Sequence, residues 1–206
     1  MKWRIAVVAL VVPMLLAASS NVWACKGKKV LFEDNFATLD PSWGEPSKFE
    51  NVKGGKLIVQ TDVNKTRRLL KKAYLFEDMD ACVKVRLAKS DDPNQPGGLI
   101  FWGKDISSHY VLMVKADGRF QVGRYLGRWL DAVSWRDEAA VKKGMGQVNE
   151  LRVVTKGNQA TAYINDKEVV SFKGQPPEGG SAVGASGQSS EKSEAVWEFS
   201  DLKITQ

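Results

Sequence analysis

The stretch from Gly97 to Trp135, GGLIFWGKDISSHYVLMVKADGRFQVGRYLGRWLDAVSW, constrains the fold more than any other. Gly98 to Trp102 is an apolar run too short for a helix. After Gly-Lys-Asp comes His109 to Lys115, rich in β-branched and aromatic residues, so the order is strand, loop, strand. Ala116-Asp117-Gly118 supplies a tight turn, and Arg119 to Leu126 resumes alternation as a third, antiparallel strand. Tyr110 to Val114 is apolar at both parities, whereas a sheet with one wet face shows polar residues on alternate positions. Its outer face must therefore be covered or recessed. In a sandwich of two curved sheets the inner face makes the core and the concave outer face makes a groove. Trp102, His109, Arg124, Tyr125 and Trp129 are the candidates to line that groove, against the competing reading that each aromatic is simply core.

Met1 to Ala24 reads as a secretory signal: Lys2 and Arg4 start it, Ile5 to Leu16 is apolar, and Val22-Trp23-Ala24 resembles a cleavage site. Pro13 interrupts the apolar core, which is too short to span a bilayer comfortably. A periplasmic or secreted location follows, with residues 25–206 forming a single domain. Without Lys2 and Arg4 the chain carries 28 basic against 24 acidic residues, a net charge of +4. Basic residues are scattered among acids, which with export argues against nucleic acid and leaves an acidic polysaccharide compatible.

Cys25 and Cys82 are the two cysteines, and in an oxidising compartment they most simply make one disulfide. Closing a loop of 57 residues would contribute on the order of 4 kcal/mol through lost chain entropy. The rival is a lipid anchor on Cys25, but Val22 and Trp23 do not match the Leu and small residue usual before a lipidated cysteine.

Strands are expected at Val30–Phe36, Lys56–Thr61, Arg67–Tyr74 and Met79–Leu87, where Val83, Val85 and Leu87 oppose Cys82, Lys84 and Arg86. Five more follow at Asn149–Lys156, Gln159–Asn165, Lys167–Phe172, Ser181–Ser186 and Ala195–Thr205, separated by turn residues. Arg136 to Lys143 is the one stretch suited to a short helix. The fold class is an all-β sandwich of two antiparallel sheets.

One histidine and two cysteines exclude a His-rich metal site or a zinc cage. Asp78 and Asp80 share a parity, yet they read as the entry to a strand rather than as a glycosidase pair. Asp34 and Asn35, joined by Asp201 if the last strand lies beside the first, could offer oxygens to a structural calcium; an Asx-turn is the competing reading. No cofactor is required.

VLFEDNF with Trp43, GGLIFW, HYVLMVKADGRFQVGR, the Trp129/Trp135 pair, NELRVV, ATAYINDKEVVSF, SAVGAS and WEFSDLKIT, in that order, resemble the concanavalin A-like lectin/glucanase superfamily. Within it the chain is similar to the laminin-G-like bacterial domains grouped with the 3-keto-disaccharide hydrolases. The resemblance implies a jelly roll whose concave sheet binds sugars. Two departures bear on catalysis. The Glu-x-Asp-x-x-Glu strand of family-16 glucanases has no counterpart at Glu77 to Val83, and Pro96-Gly97-Gly98 stands where the keto-disaccharide group shows Asn-Ser-Gly. The expectation is a non-catalytic, lectin-like domain for a glycan or cell-envelope polysaccharide. Its stacking residues would be Trp102, Tyr125 and Trp129, and its hydrogen-bonding residues His109 and Arg124. A glycoside-active enzyme on oxidised disaccharides and a structural or protein-binding module are the alternatives.

Overall fold

The computed structural model describes residues 25–206, and the signal expected at Met1 to Ala24 lies outside them. The strands, in chain order, are β1 (Val30–Asp34), β2 (Glu50–Val52), β3 (Leu57–Thr61), β4 (Thr66–Phe76), β5 (Met79–Ser90), β6 (Gly97–Asp105), β7 (Ser108–Val114), β8 (Arg119–Leu126), β9 (Trp129–Asp137), β10 (Asn149–Lys156), β11 (Gln159–Ile164), β12 (Lys167–Lys173), β13 (Ser181–Gln188) and β14 (Ala195–Thr205). They form two antiparallel sheets, a jelly-roll sandwich. The larger has the order β12-β11-β10-β5-β14-β3-β2, with β1 also on β14; the smaller has the order β4-β13-β6-β7-β8-β9.

The main core lies between the sheets. From β5, Val83, Val85 and Leu87 meet Leu99 and Phe101 of β6, Leu112 and Val114 of β7, and Phe120 and Val122 of β8. The other parity of the smaller sheet is buried as well. Leu70, Ile100, Val111, Met113 and Ala182 form a second apolar cluster, with Trp135 packed against it. This explains why β7 is apolar at both parities: one set makes the core, and the other floors a recess on the outer face.

Three local features differ from the expectation. Trp129–Asp137 is a full edge strand, β9, although its sequence does not alternate. Register shifts between Phe120 and Val122, and between Val122 and Gly123, mark bulges along the β8–β9 pair. Such bulges re-aim side chains, so Val133 packs on the core while Trp135 meets the outer cluster. Arg136 to Lys143 forms no helix; β9 runs to Asp137 and turns follow it. The loop after β1 contains a single 3-10 turn at Pro41–Trp43, capped by Asp40.

Cys25 and Cys82 are joined in a disulfide. The Cys25 sulfur is thereby used, which is incompatible with a thioether lipid on the same atom. Beside it, Asp80 accepts from Arg152 Nε and Nη2 at 2.7 and 2.8 Å and from the Lys26 amide at 2.8 Å. That buried ion pair is structural. Asp78, for its part, accepts from the Gly157 amide.

β1 does pair with β14, which brings Asp34 opposite Leu202, next to Asp201. The oxygens proposed for calcium are nevertheless engaged. Asp34 accepts from the Phe36 amide and from Trp43 Nε1, each at 2.8 Å, and Asn35 accepts from the Ala37 amide at 3.0 Å. Asp201 is 2.8 Å from Lys84 Nζ. These are Asx-turns and an ion pair, and no group of three or more His, Cys, Asp or Glu able to hold a metal occurs among the described residues. No helix among them is long and apolar enough to cross a membrane.

Candidate functional site

The recess on the outer face of the smaller sheet is the site. Outward positions alternate along each strand, so β8 presents Gln121, Gly123 and Tyr125 while Phe120 and Val122 point into the core. Arg68 comes from β4, Ser186 and Gln188 from β13, and Trp129 and Trp135 from β9. Together with Lys115 they enclose a hollow of about 450 Å3. Two further hollows adjoin it. One, of about 480 Å3, shares Thr66, Arg68 and Tyr125; the other, of about 660 Å3, shares Gln95 and Gln188. The three hollows adjoin one another along this face of the sheet.

Trp129 owes its place to a missing side chain. A Cβ on Gly123 would fall 1.9 Å from Trp129 Cζ2, so the indole lies against bare backbone. Its Nε1 donates to Asp131 at 3.1 Å, and the same Asp131 oxygen accepts from Gln121 Nε2 at 2.6 Å. One carboxylate thus orients a ring and an amide together. The indole remains 39% exposed, open to a ligand.

At the other end Tyr125 is contacted by two residues. The Arg68 guanidinium lies over its ring at 4.3 Å, and the His109 imidazole stacks on it with centroids 5.6 Å apart. His109 is 1% exposed. Nδ1 is 3.3 Å from the Asp105 carbonyl, which requires the proton on that nitrogen, and Nε2 is buried with no hydrogen-bond partner. Burial first, and the neighbouring Arg68 charge second, push its pKa down to about 4, so the ring is neutral near pH 7. Burial also lowers the pKa of Arg68 and of Lys115, the latter seated 4.1 Å from the Trp135 ring centroid.

The placement of the expected residues is therefore mixed. Tyr125 and Trp129 line the groove. His109 is beneath Tyr125 as support, not at the surface. Trp102 is not in the groove at all: its backbone has φ 46°, and the β6–β7 register shifts just after Phe101. That bulge turns Phe101 and Trp102, neighbours that alternation would separate, into the same core, where Trp102 packs edge-on to Tyr110 at 5.3 Å and Phe172 at 6.1 Å. Arg124 shares the inward parity of Val122, and its guanidinium lies 5.3 Å from the Tyr110 ring centroid, on the face away from Tyr125. Arg68, Lys115, Gln121 and Trp135 were not expected. Gln121 had a signal, a polar residue opposite two core positions. Arg68 had none, because its neighbours Arg67 and Lys71 are equally basic.

No Asp or Glu lines the central hollow. Asp131 is engaged as described. Glu50, which meets Arg67 at 3.4 Å, and Asp62 line one adjoining hollow, and Asp91, Asp92 and Glu191 line the other, where Asp92 accepts from the Asn94 amide at 2.9 Å and Gln95 Nε2 at 2.6 Å.

Residues 27–204 match the family model of the 3-keto-alpha-glucoside-1,2-lyase-like domain. The chain belongs to that family. No curated protein matches the sequence. Among solved structures, the carbohydrate-binding module CBM66 from Bacillus subtilis is similar at 14% identity and TM-score 0.58, covering 71% of this chain and 86% of that one. The catalytic domain of an endo-1,3-beta-glucanase (laminarinase) from Thermotoga petrophila is similar at 8% identity and TM-score 0.61, covering 85% and 96%. LamAcat from Zobellia galactanivorans gives 10% identity and TM-score 0.61, covering 87% and 98%. At such identities the likeness establishes the concanavalin A-like fold, which binding modules and glycoside hydrolases share.

Proposed function

We propose that this protein is an exported module that binds an extended saccharide along the groove without cleaving it. The observation that carries the reading is the composition of the central hollow: Tyr125, Trp129 and Trp135 beside the amides of Gln95, Gln121 and Gln188, with no carboxylate among its lining residues. Trp129 offers an open ring face to the C–H face of a sugar, Tyr125 and Trp135 wall the hollow beside it, and the amides both donate to and accept from hydroxyls. Glycoside hydrolysis by the usual route needs two carboxyl groups flanking one bond, and the central hollow supplies none. The adjoining hollows favour a chain of sugar rings over a single one. The disulfide supports an oxidising, extracytoplasmic setting.

A second reading, an enzyme acting on 3-keto-glucosides, is favoured by the family match. A glycan array on the purified protein, followed by incubation of each hit and chromatography of the products, separates the two. Binding with the saccharide recovered intact supports the module; turnover of a bound saccharide would make it an enzyme.

A further inference from the structure

Arg68 and Lys115 are the charged side chains that line the central hollow. Their neighbours show how this chain treats cations it uses structurally. On β4, Arg67 lies 3.4 Å from Glu50, and the buried Lys71 lies 3.1 Å from Asp40. On the larger sheet, Arg152 is paired with Asp80 and Arg86 with Glu198. Arg119, close to Lys115, is held by Asp117 at 2.7 Å. By contrast, neither Arg68 nor Lys115 has a carboxylate partner or a side-chain hydrogen bond among the described residues. Each is held only against an aromatic face, Arg68 over Tyr125 and Lys115 over Trp135.

An aromatic ring supports a cation without satisfying its N–H donors. Both groups are partly desolvated, which strengthens their attraction for an anion entering the same hollow. Asp92 and Asp117 favour the charge on Lys115 from a distance, but one is held by Gln95 and the other by Arg119. The central hollow thus offers unfilled cationic donors beside the open ring of Trp129, with no lining carboxylate to repel a negative group.

We infer that the central hollow selects acidic sugars, with Arg68 and Lys115 receiving a carboxylate or sulfate substituent while the open face of Trp129 takes the sugar ring. This rests on the saccharide-binding reading above and names the ligand's chemical class. A planar guanidinium suits an oxyanion that accepts two parallel hydrogen bonds, and the ammonium acts as a point charge.

The test is titration calorimetry of the purified protein with three probes: a hexameric uronic-acid oligosaccharide, the same oligosaccharide with its carboxyl groups reduced to alcohols, and a sulfated galactan oligosaccharide. At least one acidic probe should bind tenfold or more tightly than the reduced one, and the preference should shrink as salt is raised. Which acidic probe wins assigns the substituent. Arg68→Gln and Lys115→Gln should each remove most of that preference, and Arg68→Lys should retain part of it, with unchanged melting temperatures showing the variants folded. Equal or tighter binding of the reduced oligosaccharide would overturn the acidic selectivity and leave the saccharide reading standing. Failure of all three probes, together with an empty glycan array, would overturn both.

Discussion

Trp129 rests against the bare backbone of Gly123, and a Cβ at residue 123 would come within 1.9 Å of the indole. The pairing of a large ring on β9 with a glycine on β8 sets the depth of the groove. Gly123→Val should displace the indole and weaken saccharide binding about tenfold, because a stacking platform is worth about a kilocalorie or more. Calorimetric titration of a folded Gly123→Val checks this; unchanged affinity would remove Trp129 from the site.

Trp102 gives the opposite outcome. It is 1% exposed, at a left-handed φ, packed on Tyr110 and Phe172. Trp102→Ala should cost about 3–5 kcal/mol. The melting temperature should drop by on the order of 10 °C, with saccharide affinity at a permissive temperature unchanged. Trp102→Phe should be milder, since Nε1 is buried without a partner and its loss removes an unsatisfied donor.

Lys71 is 1% exposed, with its ammonium 2.6 Å from Ser42 Oγ, 3.1 Å from Asp40 and 4.7 Å from the Phe32 ring centroid. Removing its carboxylate strands a buried charge. Asp40→Ala should destabilise by about 2 kcal/mol in denaturant titrations, whereas Lys71→Met should cost less because it removes the charge as well. The Ser42 hydroxyl, the Ser42 amide and then Lys71 hold Asp40 down to about 2, so its contribution persists above pH 3.8 and is lost as pH falls towards 2.

His109 sets a separate window. Its folded pKa of about 4 lies below the usual 6.5, so between those values the unfolded chain binds the extra proton. Stability should be constant above pH 6.5 and decline as the pH falls to 4, by on the order of 3 kcal/mol. Urea midpoints across that range check it, and His109→Phe should remove most of the slope. An identical slope in the variant would place the acid sensitivity elsewhere.

Much of the fold was legible because β5, β10, β11, β13 and β14 alternate or carry turn residues where strands end. The both-parity hydrophobicity of β7 correctly implied a recessed outer face. The site was only partly legible because bulges decide it. One at Trp102 takes a ring out of the groove, and others in the β8–β9 pair give β9 no readable period. The roles of Arg68 and Lys115 depend on which cations meet a carboxylate across strands, and no local pattern in the chain records that.

Whether the hollow binds saccharide on the face of Trp129 and leaves it intact is decided by one calorimetric comparison. It sets the wild-type protein beside Trp129→Ala and Trp102→Phe on a saccharide identified by array, with the ligand recovered and sized afterwards. Trp129→Ala should bind at least tenfold more weakly and Trp102→Phe close to wild type, with intact ligand recovered throughout. Unchanged binding by a folded Trp129→Ala, or cleaved ligand with the wild type, would contradict this reading.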